Sequence, residues 1–540
     1  MTESGYPSPR STSDGNGIPG SVTACSVLDI ESVAEIGVDA WRAHYDWPVS
    51  DEDYESLCTG IWNAWLDAAG KLDGVSADLL LSDMGLPGFL LQHLHIACAH
   101  HRLLQAGASP GHGSVVAPYL KPDWDALSQD ASLGSRSKSS FQDSLRNAAK
   151  GWLLNGHATL PERIGTAAGQ GETWALGSRT PLRAAYLEQS RMACRFVSHG
   201  LFLTSDGGGR EARLQDVTAQ LTDRFRSVSR ETLGVDFDVD AVRKTWMARL
   251  GVLARLAQGA TGLSTLPKRL LLTDLGQPAN RIIARTLSRS GVTVVGFHHG
   301  NEMGAQPYPT SDIVDLLPVD RFAVPSEGCL AWRKKHYEQG WISSLHEVEF
   351  ERVRTGLYRG WLAESDTVAL PEHVETVMIV GFPPNWIRYP HLIAHWGLTQ
   401  FEVECSLAEC LAEAGYRVLY KAHPEWESQL RRVMAGLPCE FVGGRLEDCW
   451  PDADAFVFAR TSSTSFGFAL CTNRPIVLLD HGAQTWEQEG YEMLSKRCRM
   501  VPAKVQEGLK IEFDKETLLG ELRKPVKEPD QSFVLEAMCR

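Results

Sequence analysis

Short runs of apolar residues recur along the second half of the chain, and a longer amphipathic segment separates each run from the next. Runs of this length predict buried β-strands, and the segments 278–290 and 399–414 have the spacing of helices. Alternating strands and helices predict a parallel, doubly wound sheet. The runs occupy residues 269–273, 292–297, 321–324, 377–380, 417–420, 439–442, 475–479 and the stretch that begins at 456.

The runs fall into two groups, which indicates two Rossmann-like domains in an α/β protein. The polar, charged segment 364–374 lies between the groups and has the composition of a linker. Residues 27–105 have a helical pattern with aromatic residues at helical spacing, which predicts a helical elaboration ahead of the first sheet. The predicted parts are a disordered tail at 1–26, an N-terminal domain at 27–370, a second domain at 371–500 and a peripheral charged segment at 501–540.

The overall charge limits the classes of partner. The chain of 540 residues carries 53 Lys and Arg residues against 67 Asp and Glu residues, a formal net charge of −14. Nucleic-acid binding requires a basic surface, so we expect no nucleic-acid partner. The 12 cysteines include no CxxC pair, and the N-terminus lacks the apolar segment of a signal peptide. These features predict a cytoplasmic protein, with peripheral association at the inner face of a membrane left open.

Two of the predicted strands end in residues that suit an anionic ligand. A lysine and a His-Pro pair end the stretch 420–425, and an arginine with a row of hydroxyl residues ends the stretch 456–464. Ligands bind at the carboxyl ends of strands in open α/β sheets, and hydroxyls at a helix start hold anions. The structural alternative is a helix N-cap together with a turn proline. We predict a nucleotide-phosphate site formed by Lys421, His423, Pro424, Arg460, Ser462, Ser463 and Thr464.

The order of the motifs, His-Pro after one strand and Ser-Ser after a later one, resembles a group of GT-B glycosyltransferases. These are bacterial surface-polysaccharide transferases that use CMP-activated acidic sugars, such as polysialyltransferases and transferases of 3-deoxy-manno-octulosonic acid (Kdo). CDP-glycerol glycerophosphotransferases have a similar arrangement. The likeness covers residues 268–480. It implies a GT-B fold, in which two Rossmann-like domains face a cleft, with a CMP-sugar as donor and a glycan or lipid-linked glycan as acceptor.

The resemblance also implies roles for the motif residues. In that family the histidine and the serine pair hold the phosphate of the cytidylate, here His423, Ser462 and Ser463, while the nearby lysine and arginine add positive charge. Because fixed donors can hold a single phosphate as CMP leaves, we expect no metal ion and no other cofactor. The Asp-Ala-Asp sequence at 452–454 matches a metal-binding pattern, but it precedes its strand and should lie at the opposite edge of the sheet.

A second set of candidates follows the strands of the first sheet. Asp274 ends one strand, and a carboxylate there can act as general base or as nucleophile. Retaining β-Kdo transferases resemble this chain in having such an aspartate with a histidine on the next strand, which implies Asp274 as nucleophile and leaves Glu188 as a candidate acid. The structural alternatives are an Asx turn at Asp274 and a surface ion pair at Glu188. His299 completes the catalytic set, and sugar or acceptor contacts are assigned to His298, Asn301 and Glu302.

Together these features predict a glycosyltransferase that moves an acidic sugar, Kdo in the first instance, from its CMP ester to a bacterial surface glycan. Two alternatives stay open. A CDP-dependent transferase of polyol phosphate has a similar order of motifs, and a GT-B-shaped subunit could bind a glycan or act as a scaffold without catalysis. Retention of configuration would follow from a carboxylate nucleophile, whereas a general base would give inversion.

Overall fold

A computed structural model describes most of the chain, and in this part thirteen strands are present, numbered β1 to β13 in chain order. They form two sheets, and every strand of the first sheet precedes every strand of the second. The described residues are 26–44, 47–130, 133, 172–204, 211–298, 305–306, 313–382, 396–461, 463–482, 486–506 and 510–540.

Six described strands, all parallel, form the first sheet in the order β2-β1-β3-β4-β5-β6. The chain runs from β1 outward to β2 and then returns to the other side of β1 for β3, so the strand order reverses between β1 and β3. The predictions of β3, β4 and β5 are confirmed, whereas β1, β2 and β6 were not predicted. The strands are β1 Thr173–Leu176, β2 Cys194–Phe196, β3 Arg269–Leu272, β4 Thr293–Phe297, β5 Arg321–Val324 and β6 Glu349–Arg352.

The second sheet has seven strands in the described part of the chain, in the order β13-β12-β11-β10-β7-β8-β9. All pairs are parallel except β12 with β13. The chain goes from β7 outward through β8 to β9 and then crosses back to form β10 on the other side of β7. The strands are β7 Thr376–Val380, β8 Arg417–Lys421, β9 Glu440–Val442, β10 Ala455–Phe458, β11 Ile476–Asp480, β12 Arg499–Val505 and β13 Ile511–Phe513.

Helices cover the sheets and build the N-terminal elaboration, and the predicted fold class, α/β with two Rossmann-like sheets and a helical N-terminal region, is confirmed. The N-terminal helices span Ile30–Ile36, Val38–His44, Asp51–Gly70, Gly74–Ser82, Gly85–Gln105, Ala117–Leu120 and Trp124–Leu127. Those of the first sheet region span Pro181–Ser190, Glu211–Leu233, Val239–Thr261, Pro278–Arg289, Glu327–Gln339 and Leu357–Ser365. Those of the second span Trp396–Glu413, Glu427–Met434, Leu446–Cys449, Thr464–Leu470, Gln488–Arg497, Lys515–Arg523 and Ser532–Val534.

The N-terminal helices contact both halves of the molecule. Trp65 and Trp246 are fully buried in the large core that the elaboration shares with the first sheet. On the other side, Nη1 of Arg42 donates to both carboxylate oxygens of Glu409 at 2.7 and 2.6 Å, and Nε lies 3.2 Å from Glu402. Both glutamates belong to the helix Trp396–Glu413, so the elaboration is anchored on the second sheet region as well.

The assignment of 501–540 to a peripheral segment is wrong. β12 crosses the proposed boundary and pairs with β11, and the last residues of the chain return to the first sheet region. There Phe533 is buried and stacks on Trp332, and the hydroxyl of Ser326 donates to the carbonyl of Ala537 at 2.6 Å. The few apolar residues of this segment are diluted by charged neighbours in the sequence, which hid its burial.

Candidate functional site

The two motifs of the second sheet meet at one edge, because their strands flank the same neighbour. β8 and β10 both pair in parallel with β7, so all three strands end on the same side of the sheet. The backbone N–H of Gly381, which follows β7, donates to the carbonyl of Lys421 at 2.9 Å. The strand order reverses between β7 and β10, and a reversal of this kind opens the crevice in which open α/β sheets bind ligands.

Lys421 is the charged residue held most deeply at this edge. Its side chain is only 4 % exposed, and its ammonium donates to the carbonyl of Ala422 at 2.6 Å. Within the described part of the chain no carboxylate forms an ion pair with Lys421, and burial lowers the pKa of its ammonium. The carboxylates of Glu427 and Glu447 offset this effect only in part. A buried cation that lacks an ion pair costs free energy, so this position favours an anionic ligand.

The His-Pro pair begins a turn beside Lys421. Pro424 is exposed and starts a single 3-10 turn, Pro424–Trp426, in which the N–H of Trp426 donates to the carbonyl of His423 at 3.0 Å. His423 is half-buried. The turn leads directly into the helix Glu427–Met434, so the pair stands at the exit of β8, as its position after a strand predicts.

The second motif follows β10. Arg460 is half-buried, and its guanidinium carbon lies 5.2 Å from the centre of the Phe382 ring, on the far side of the strand reversal. Ser463 is the N-cap of the helix Thr464–Leu470, since its hydroxyl accepts from the N–H of Phe466 at 3.2 Å. The structural alternative therefore applies to Ser463, while Thr464 is exposed at the helix start. Ser462 lies outside the described residues.

Two further residues at this edge were missed by the sequence analysis. His481 follows β11 and is buried, and burial together with the charge of Arg460 lowers the pKa of its imidazole. The side-chain amide of Gln306 donates to the hydroxyl of Thr461 at 3.3 Å. Because Gln306 follows β4, this bond brings the first sheet region to the strand ends of the second, which is the GT-B arrangement that the sequence predicts.

Asp274 lies at the corresponding reversal of the first sheet, between β1 and β3. Its carboxylate accepts two hydrogen bonds from Ser178, which follows β1: one from the backbone N–H and one from the hydroxyl, each 2.7 Å long. The side-chain amide of Asn280 donates to the Asp274 carbonyl at 3.2 Å. The aspartate is half-buried at the carboxyl edge, where the sequence predicts it, but the Asx turn is replaced by a contact across two strands.

Of the other acceptor-side candidates, His298 follows β4, which pairs in parallel with the strand that precedes Asp274. His298 is buried, and its ring stands edge-on to Phe322, with the centres 6.2 Å apart. Glu188 is exposed on the helix Pro181–Ser190, about 10 Å along the helix axis from its start. Its carboxylate forms no ion pair with a described residue, so the surface ion pair is not seen there. The candidates outside the described residues are His299, Asn301 and Glu302.

No group of three or more His, Cys, Asp or Glu residues is arranged to hold a metal ion within the described ranges. In the sequence 452–454, Oδ2 of Asp454 accepts from the backbone N–H groups of Glu375 and Thr376 at 3.0 and 2.8 Å. These contacts tie the start of β7 and place Asp454 at the amino edge of the sheet, away from the motif residues. No single helix in the described part of the chain is long and apolar enough to cross a membrane, although Gly74–Ser82 and Gly85–Gln105 together, as a bent pair, have the length and composition of a span.

Comparison with known proteins finds no matching family model and no matching curated protein. Among solved structures, UDP-GlcNAc 2-epimerase from Methanocaldococcus jannaschii in complex with UDP-GlcNAc and UDP is similar, with 11% identity, a TM-score of 0.36, and coverage of 67% of this chain and 96% of that chain. A second structure of that epimerase has 9% identity, a TM-score of 0.32, and coverage of 68% and 95%. Because both likenesses are low, the fold assignment rests on strand order and hydrogen bonds within this chain.

Proposed function

We propose that the protein is a glycosyltransferase that moves an acidic sugar, Kdo in the first instance, from a CMP-sugar to a glycan or lipid-linked glycan of the bacterial surface. The observation that carries the proposal is the buried ammonium of Lys421 at the strand reversal of the second sheet, which forms no ion pair with a carboxylate in the described part of the chain. A bound phosphate would compensate the cost of burying this charge. Arg460, on the other side of β7, supplies a second cation for the same phosphate.

The proposed chemistry follows from the charge that develops on the donor. As the bond between the anomeric carbon and the phosphate oxygen breaks, CMP takes the electron pair, and Lys421 and Arg460 stabilise the added negative charge. On the other side of the cleft, the carboxylate of Asp274 attacks the anomeric carbon, or it removes the proton of the acceptor hydroxyl. In the first case a second displacement by the acceptor releases Asp274 and restores the configuration of the sugar.

The test is an assay with CMP-Kdo in which CMP release and the anomer of the product are followed by NMR. Thermal stabilisation by CMP, CDP, UDP and GDP identifies the nucleotide beforehand, since a ligand of the native state raises stability with its concentration. Stabilisation by CMP supports the proposal. A preference for CDP would replace it with polyol-phosphate transfer, and no effect of any nucleotide would replace it with a non-catalytic role.

A further inference from the structure

A buried carboxylate contacts the two strand ends that form part of the proposed phosphate site. Glu404, on the helix Trp396–Glu413, is 2 % exposed and accepts three hydrogen bonds. The hydroxyl of Tyr420 donates at 2.5 Å, the backbone N–H of Phe382 at 2.9 Å, and the side-chain amide of Gln400 at 2.9 Å. Tyr420 precedes Lys421 at the end of β8, and Phe382 follows β7. The hydrogen bonds of Glu404 therefore connect the ends of these two strands.

The close approach of these groups depends on a glycine. A Cβ atom on Gly381 would lie 2.6 Å from the hydroxyl oxygen of Tyr420 and 3.3 Å from Oε2 of Glu404. The first distance is shorter than any real contact, so a side chain at position 381 would push the tyrosine or the strand end away. The geometry of the Glu404 bonds therefore requires the bare backbone at this turn.

The contact continues from the backbone of Phe382 to its ring, on which the guanidinium of Arg460 lies. A cation over an aromatic face is held to a defined position, and the strength of the contact falls when the ring moves. Glu404 thus fixes the residue that places Arg460, although Glu404 does not itself reach the motif of β10.

The surroundings of Glu404 contain donors but no basic partner among the described residues. Burial raises the pKa of its carboxyl to about 7, and hydrogen bonds from Tyr420, Phe382 and Gln400 lower it in part. The adjacent Cys405 is also buried, and burial raises the pKa of its thiol. The charged groups that pair with each other, Arg42 with Glu402 and Glu409, belong to the opposite face of the helix.

We propose that Glu404 is a positioning residue for the donor phosphate: it holds the turn 381–382, and through Phe382 it holds Arg460 against the phosphate. This inference rests on the proposed function and assigns Glu404 no contact with the substrate. The ionised carboxylate accepts all three bonds, whereas in the protonated carboxyl one oxygen carries a hydrogen and donates instead, which reverses the bond with the Tyr420 hydroxyl. We therefore assign donor binding to the ionised form.

The test compares Glu404→Gln with Glu402→Gln, a matched change on the same helix. Glu402 is also buried but pairs with Arg42 on the other face, so its replacement removes a structural carboxylate only. The affinity for the methyl ester of CMP, whose phosphodiester keeps one charge near neutral pH, is measured by calorimetry from about pH 6 to about pH 8. We expect Glu404→Gln to bind at least about tenfold more weakly at the upper end of this range. Glu402→Gln should match the wild type.

The pH profile separates positioning from a loss of fold. The affinity of Glu404→Gln should fall behind that of the wild type and of Glu402→Gln as the pH passes about 7, because the other titratable groups of the site change alike in all three proteins. Gly381→Ala, which removes no donor, should also weaken binding. Wild-type affinity in Glu404→Gln, or a pH profile identical to that of the wild type, overturns the positioning role and leaves the proposed function intact. A folded wild type that binds no cytidine nucleotide overturns the proposed function, and Glu404 then has no phosphate to position.

Discussion

Ser178 and Asp274 are joined by two hydrogen bonds across the strand reversal of the first sheet, one from the backbone N–H and one from the hydroxyl of the serine. The backbone of Asp274 adopts a left-handed conformation with φ of 53°, which is uncommon for a residue other than glycine. The surrounding contacts therefore hold the carboxylate in a single position despite a local cost. Such over-determined residues are concentrated at functional sites.

We expect Asp274→Asn to lower turnover by roughly 10³-fold or more, because it removes the charge that, in the proposed mechanism, attacks the anomeric carbon or deprotonates the acceptor. The asparagine can keep both contacts with Ser178, since its oxygen accepts from the N–H and its amide donates to the rotated hydroxyl. The melting temperature and the CMP affinity should therefore stay close to those of the wild type. Steady-state kinetics and thermal unfolding measure the two effects.

Ser178→Ala is the control for this substitution. It removes one donor and leaves the charge of Asp274, so turnover should fall less than in Asp274→Asn. If Asp274 is the nucleophile, mass spectrometry of the peptide containing residue 274 should detect a sugar adduct after incubation with the donor. Turnover of Asp274→Asn near the wild-type level would refute both catalytic roles. Asp274 would then have only a structural role, in the contact between the ends of β1 and β3.

Replacement of His423 or Ser462 by alanine should weaken CMP binding by about 1.5–3 kcal/mol, the usual range for a lost hydrogen bond to a charged group. Ser463→Ala should behave differently, because the Ser463 hydroxyl caps the helix Thr464–Leu470. Loss of this cap should cost about 1 kcal/mol of folding stability. Calorimetric titration with CMP and urea unfolding separate the two effects, and unchanged CMP affinity in the folded His423 and Ser462 variants would rule out these residues as phosphate ligands.

Transfer activity should persist in excess EDTA. A single donor phosphate needs less compensating charge than a pyrophosphate, and Lys421 and Arg460 both lie at the proposed site. Activity with CMP-Kdo is measured before and after chelation. Complete loss of activity that Mg²⁺ or Mn²⁺ restores would contradict this expectation. Asp452 and Asp454 would then be the candidate metal ligands, although Asp454 accepts a hydrogen bond from the start of β7.

The contribution of Glu404 to the free energy of unfolding should fall as the pH rises from 4.5 to about 7. Burial raises the pKa of Glu404 from its ordinary value of 4.5 to about 7, so between these values the folded state holds a proton that the unfolded chain has released. The difference corresponds to roughly 3 kcal/mol. Urea unfolding of the wild type and of Glu404→Gln at about pH 4.5 and about pH 8 isolates this contribution: the stability of the wild type relative to the variant should be greater at the lower pH. A difference between the two proteins that does not change with pH would contradict it.

The buried strands of both sheets could be predicted from apolar runs, but the edge strands could not. β6 has the sequence Glu-Phe-Glu-Arg and contains one apolar residue, because only one of its sides pairs with another strand and its faces are partly exposed. β1 is fully buried but only four residues long, and it follows a stretch rich in glycine and alanine that shows no periodicity. Apolar patterns report burial, so they identify central strands best.

The positions of the motif residues at strand ends were predictable from the sequence, whereas the residues from distant segments that contact them were not. Lys421 and Arg460 each follow an apolar run, which places them at the carboxyl edge in any parallel sheet. The return of the chain from β9 to β10 decides that the two motifs flank β7, and apolar patterns do not encode strand order. Ser178 and Glu404 come from distant segments, so no local spacing connects them to Asp274 or Phe382.

Lys421→Met is the variant that separates binding from stability at the proposed phosphate site. Methionine fills a similar volume without a charge, so the melting temperature should be equal to or higher than that of the wild type, while CMP binding should be lost. Lys268→Met is the matched control, since Lys268 is exposed and pairs with Glu172 in the first sheet region. That variant should bind CMP like the wild type.

Calorimetric titration of CMP into the wild type and Lys421→Met is therefore the most direct test of a cytidylate phosphate site at the strand reversal of the second sheet. We predict that the wild type binds CMP in preference to UDP and GDP, and that the folded Lys421→Met protein binds at least about tenfold more weakly. Equal affinity in the two proteins, or no binding of CMP to the folded wild type, would contradict the account.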